Sequence, residues 1–118
     1  MIQSYNRRRE YNRTYFNRGI PATIELVTEA FNQEFNYRKA IDMFVLDMSA
    51  SGLRFVHKIE FPINYIAVYK IRMVLNNKNL ILFGKIIRKN RLPHQFNEYG
   101  VKFDYNFIDN NKFYRNTK

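Results

Sequence analysis

Hydrophobic and polar positions alternate with a period of two through most of this chain. In "IPATIELV" the pattern places Ala22, Ile24 and Leu26 on one face and Thr23 and Glu25 on the other. "GLRFVH" sets Leu53 and Phe55 against Arg54 and Val56. "YIAVYKIRMVL" puts Tyr65, Ala67, Tyr69, Ile71, Met73 and Leu75 on one side, with Lys70 and Arg72 opposite. "YGVKFDY" turns Tyr99, Val101, Phe103 and Tyr105 inward and Gly100, Lys102 and Asp104 outward. "RKAIDMFVLDM" differs, being apolar almost without break from Ile41 to Leu46, and reads as a strand buried on both sides or wrapped in a closed sheet.

Turn chemistry separates these runs. "NNKN" at 76–79 is a hairpin signal, because asparagine tolerates positive φ. "LILFGKIIRK" is its return strand, and Gly84 within it marks a bulge or a close backbone approach. "RLPHQFNE" is a loop. Six strands joined by short turns predict an all-β domain, a six-stranded antiparallel barrel or a sandwich, and closing the sheet would protect its edges. Residues 1–19 show no apolar periodicity and read as a flexible basic arm, with Pro21 marking the entry to the ordered domain over 20–118. The tail "IDNNKFYRNTK" allows a short C-terminal helix from Asp109.

Length and composition fit one globular domain: 118 residues, 46% hydrophobic. Without cysteine there is no disulfide and no thiolate chemistry, which suits a reducing cytoplasm. The N-terminus is polar and arginine-rich, unlike a signal peptide, and no apolar run reaches membrane-spanning length. Net charge is +10, pointing to an anionic partner. Residues 1–18 alone hold five arginines against Glu10.

No catalytic or metal-ligating pattern accompanies this charge. His57 and His94 are far apart and lack companions at ligand spacing; Ser49 has no base nearby in sequence. Phosphate-loop, zinc-protease and nucleophile-elbow motifs are missing. The sequence therefore predicts neither an enzyme nor a bound cofactor or metal.

Two short stretches carry the candidate chemistry. In "RRREYNR", Arg9 and Arg13 stand four apart, roughly 13 Å on an extended arm and about the scale of a dinucleotide. Guanidinium pairs bidentately with phosphate or with the O6/N7 edge of guanine. In "DMSASG", Asp47 accepts hydrogen bonds, as the N1 and N2 groups of guanine require. Ser49 offers a hydroxyl, and Gly52 permits a turn or close approach of a ligand to the backbone. A serine-stabilised turn between strands explains the same residues without any ligand.

An R-x-x-x-R arm, a strand, then D-x-S-x-x-G at a strand-to-strand turn, in a six-strand chain, resembles the PilZ domain. The resemblance runs from about residue 6 to about residue 108, and "GKIIRK" and "YGVKF" also look like late strands of that family. Family members often carry a proline near the arginine motif, where this chain has Asn12 and Thr14, and a longer, more apolar C-terminal helix. The resemblance implies a six-stranded barrel that binds the bacterial second messenger cyclic di-GMP on its outer surface, without catalysis. Arg9 and Arg13 would take phosphates and the Hoogsteen edge of guanine, while Asp47 and Ser49 hold the base from the barrel side and Gly52 completes the motif. Arg8 would engage a second ligand molecule. Ligand would order the arm, and a downstream protein partner would read the new surface. Two alternatives stand beside this: a basic barrel binding single-stranded nucleic acid by phosphate contacts and base stacking, and a degenerate PilZ-like protein-interaction module. The inward placement of most aromatics weighs against the first, and the intact motifs against the second.

Overall fold

A computed structural model describes residues 12–28, 40–63 and 65–107. Six antiparallel strands form a closed barrel: β1 (Thr14–Leu26), β2 (Ile41–Met48), β3 (Gly52–His57), β4 (Tyr69–Leu75), β5 (Lys78–Arg91) and β6 (Asn97–Phe103). Around the barrel the order is β1-β2-β3-β6-β5-β4, and β4 pairs back onto β1. Every strand thus has two hydrogen-bonded neighbours, which removes exposed sheet edges. A one-turn 3-10 helix, Pro93–Gln95, links β5 to β6.

Alternation builds the interior. Ala22, Ile24 and Leu26 of β1, Met43 and Val45 of β2, and Leu53 and Phe55 of β3 all point inward and are buried. So do Tyr69, Ile71 and Met73 of β4, Ile86 of β5, and Tyr99, Val101 and Phe103 of β6. Burying each large side chain stabilises the fold by about 1.5–3 kcal/mol. One end is filled by Phe61, from the loop after β3. Its ring stands edge-on to Phe55 (5.8 Å), Tyr69 (5.9 Å) and Tyr99 (5.3 Å). The Tyr99 hydroxyl fixes that loop. It accepts the Phe61 N–H (2.9 Å) and donates to the Ile59 carbonyl (2.6 Å).

The β4–β5 hairpin turns on Asn76 and Asn77, both at positive φ (53° and 65°), as the "NNKN" signal predicts. Four expectations need correction. Strand β1 begins at Thr14, not after residue 19. Its first residues pair through the backbone with β2, Thr14 with Met48 and Tyr15 with Asp47, while their side chains are largely exposed, so no period-two signal marks them. Of the two readings of β2, the closed sheet holds and burial on both sides does not: Asp42 and Phe44 face outward, Phe44 being 52% exposed. Tyr65 and Tyr105 lie in turns outside β4 and β6 and are exposed, so their parity with the core residues has no structural force. The "RLPHQFNE" loop is shorter than its letters suggest, because β5 runs to Arg91 and β6 starts at Asn97. The tip of the arm, with Arg8 and Arg9, and the C-terminal segment from residue 108 lie outside the described residues.

Candidate functional site: an arginine–aspartate cluster on the outer wall

Asp47 is re-aimed by a bulge. Val45 pairs with Phe55, both inward, but the next pair is Asp47 with Arg54 instead of residue 46 with Arg54. The extra residue in β2 shifts the register and brings Asp47 level with two outward-facing neighbours, Arg54 on β3 and Tyr15 on β1. Asp47 is nonetheless completely buried, because two guanidinium groups lie over it. Arg13 Nε donates to Oδ1 at 2.8 Å. Arg54 Nε donates to Oδ2 at 2.6 Å, and the other side of that guanidinium pairs with Glu98 on β6.

These contacts fix the charge of Asp47. Burial pushes its carboxyl up; hydrogen bonds from Arg54 and Arg13, with the charges behind them, outweigh burial and hold it below the usual carboxylate range. A carboxylate so held is a permanent acceptor at neutral pH and a poor general base.

Ser49 lies just beyond, in the turn to β3. Its backbone N–H donates to the Gly52 carbonyl (2.8 Å), and its Oγ accepts from the Ser51 N–H (3.2 Å) and from Arg13 (3.1 Å). The serine therefore does two jobs, stabilising a turn and touching the arginine of the other motif. Gly52 has a packing reason of its own: a Cβ there would sit 2.1 Å from the Val101 carbonyl oxygen on β6. The motif glycine is what lets β3 and β6 approach.

Of the sequence-derived site residues, the structure brings Arg13, Asp47 and Ser49 into direct contact, with Gly52 closing the same turn. Arg8 and Arg9 fall outside the described residues. Sequence reasoning missed Arg54 and Glu98. Arg54 reads as an ordinary outward residue of an alternating strand, and only the bulge, which no residue pattern announces, sets it opposite Asp47.

A groove of about 450 Å³ opens beside the cluster, across β3, β6 and β5. Arg13, Arg54, Arg88 and Lys102 reach it, Gly52 and Gly100 contribute to its wall, and among the described residues no carboxylate lines it. A larger groove, about 750 Å³, lies around Thr23, Arg72, Val74 and Ile81 and touches none of the motif residues. The cationic groove has the chemistry for an anion. Among the described residues no group of three or more histidine or carboxylate side chains is placed to hold a metal ion, and no helix is long and apolar enough to cross a membrane.

A closed six-stranded barrel whose outer wall joins an arginine ahead of β1 to an Asp-x-Ser-x-x-Gly turn defines a class of small all-β domains. The chain belongs to that class: the PilZ domain family model matches residues 7–112, and the family is one of cyclic di-GMP receptors, generally non-enzymatic. Among solved structures it is similar to the Bacillus subtilis inhibitor of motility, MotI/DgrA. The TM-score is 0.59 and the identity 15%, over 82% of this chain and 42% of that one, so the chain spans less than half of that protein. It is also similar to the PilZ domain of CeSA from a cellulose-synthesizing bacterium, at TM-score 0.47 and 21% identity, over 79% of this chain and 82% of that one. No curated protein matches it.

Proposed function

We propose that this chain is a cytoplasmic, non-enzymatic receptor that binds cyclic di-GMP on the outer wall of its barrel and relays the signal to a protein partner. The observation that carries this reading is the contact of Arg13 with Asp47 and Ser49, 34 and 36 residues apart. The two halves of the family's ligand motif meet at one place, beside a groove lined by cations. Arg13 offers the guanidinium for phosphate or the Hoogsteen edge of guanine, and Asp47 the fixed acceptor for guanine N1 and N2. Arg9 adds a second grip and Arg8 a contact to a second molecule.

In this structure Asp47 has no exposed surface, so a ligand reaches it only by displacing a guanidinium. Arg13 is the one that moves. It precedes β1 and, among the described residues, is held by Asp47 and Ser49, whereas Arg54 sits within β3 and is gripped by both Asp47 and Glu98. Ligand binding thus draws Arg13, with the arm before it, away from its resting partner and onto the ligand. The changed arm surface is what a partner reads. The intact Arg13–Asp47–Ser49 contact weighs against a degenerate module.

Fluorescence anisotropy of labelled cyclic di-GMP tests the reading. Saturable binding, displaced by unlabelled cyclic di-GMP and not by GTP, is expected. A folded chain that leaves the label free in solution overturns it.

A further inference from the structure

The cross-strand rows of the barrel wall set out the cations of the groove. One row runs Asp47, Arg54, Gly100, Arg88 across β2, β3, β6 and β5; the next runs Gly52, Lys102, Lys85 across β3, β6 and β5. A second bulge places Arg88 in its row. Ile86 pairs with Val101, both buried, and the next pair is Arg88 with Gly100. Gly100 is thus the gap between two arginines, and Arg88 lies against it. A Cβ on Gly100 would be 3.3 Å from Arg88 Cβ and 3.9 Å from its Nε.

The charges of the two sides differ. Arg54 is satisfied by Asp47 and Glu98, and Arg13 by Asp47. Lys89 and Arg91, further along β5, share Glu60. Among the described residues Arg88 and Lys102 make no ion pair and no carboxylate lines the groove that both face. Like charges gathered on one concave wall repel until an anion joins them.

We propose that Arg88 and Lys102, flanking the open floor at Gly100, form a phosphate subsite outside both sequence motifs. The subsite rests on the cyclic di-GMP reading and deepens it. Its phosphate comes either from the far side of the dinucleotide held at Asp47 or from a second dinucleotide stacked on the first.

The experiment has two arms on the full chain. In the first, calorimetric titration with cyclic di-GMP compares the native protein with Arg88→Ala, Lys102→Ala and the double variant. Arg72→Ala, on another part of the wall, controls for the general loss of positive charge. Each subsite variant is expected to weaken binding about ten- to a hundredfold, the worth of one charge-assisted contact, while Arg72→Ala changes it little. Unchanged stoichiometry assigns the phosphate to the same molecule; a fall from two to one assigns it to a second. Variants that bind like the native chain, or no worse than Arg72→Ala, overturn the subsite while leaving the receptor reading intact. In the second arm, inorganic pyrophosphate is titrated and amide resonances are followed. Gly52, Gly100 and Lys102 are expected to shift in the native protein and not in Arg88→Ala/Lys102→Ala. This arm stands even if cyclic di-GMP fails to bind, in which case the receptor reading falls alone. No shift at those amides overturns the subsite.

Discussion

Arg54 and Asp47 stand opposite one another on adjacent strands, Nε 2.6 Å from Oδ2, and the pair places a carboxylate with no exposed surface on the outer wall of the barrel. The pairing exists because β2 carries one residue more than β3 at that point. With Arg13 on the other carboxylate oxygen, it holds Asp47 below the usual carboxylate range despite burial. Four stability predictions and one of binding rest on the contacts around it and in the barrel beneath.

Asp47→Asn should destabilise the protein by about 1–2 kcal/mol. That is below the 3–5 kcal/mol typical of breaking a buried pair, because Arg13 and Arg54, 32% and 36% exposed, regain water. The pH dependence has a definite sign. The folded pKa of Asp47 lies below its unfolded value. The stability it contributes is therefore fully present above the unfolded carboxylate value of about 3.9 and lost as pH falls through the folded value. Urea denaturation should show the native chain losing more stability than Asp47→Asn below about pH 4. Parallel curves for the two would contradict the pairing.

Gly52→Ala should cost at least ~1–3 kcal/mol, since the new methyl meets the Val101 carbonyl, a backbone atom that moves only with its strand. Ligand binding lost in this variant reports a displaced β3 instead of a missing ligand contact. Thermal melting beside Ser49→Ala separates the two cases: the serine variant should keep most of its stability and the glycine variant should not.

Tyr99→Phe should cost about 1–3 kcal/mol, because the Phe61 N–H and the Ile59 carbonyl lose their common partner at the filled end of the barrel. Amide exchange at Phe61 should quicken in the variant. Unaltered protection there would show that the loop is held by ring packing alone.

His57 predicts a second pH effect. Burial pushes its pKa down, and Nδ1 accepts the Ile59 N–H at 2.9 Å, which requires that nitrogen unprotonated. With the folded value below the unfolded one of about 6.5, its contribution is present above that pH and lost as pH falls toward the folded value. The melting temperature should drop between pH 7.5 and pH 5.5, less in His57→Asn than in the native chain. Equal drops would rule out His57 as the source.

Much of the fold is legible in the sequence because a barrel wall repeats every two residues. The parity of Ile24, Phe55, Ile71 and Tyr99 gives the core, and Asn76-Asn77 gives the hairpin. Gly84 reads as a bulge or a close approach and is the latter: a Cβ there would lie 2.6 Å from a Val101 methyl. Parity fails where a strand is held by its backbone rather than its side chains, so the start of β1 at Thr14 is invisible, and a run of apolar letters hides that Phe44 faces outward. Of the site, Arg13, Asp47 and Ser49 are legible as motif residues. Arg54 and Arg88 are not, because two bulges set their partners, and a bulge adds one residue without changing the kinds of residue around it; Glu98 is not, because it meets Arg54 diagonally across β3 and β6, a pairing of distant segments that local patterning does not reveal.

The most direct test of the account is calorimetric titration of the native chain and of Arg13→Ala with cyclic di-GMP. Saturable binding by the native chain, lost in a variant that remains folded, is the predicted result. A folded native chain that takes up no ligand, or an Arg13→Ala variant that binds as the native chain does, would contradict it.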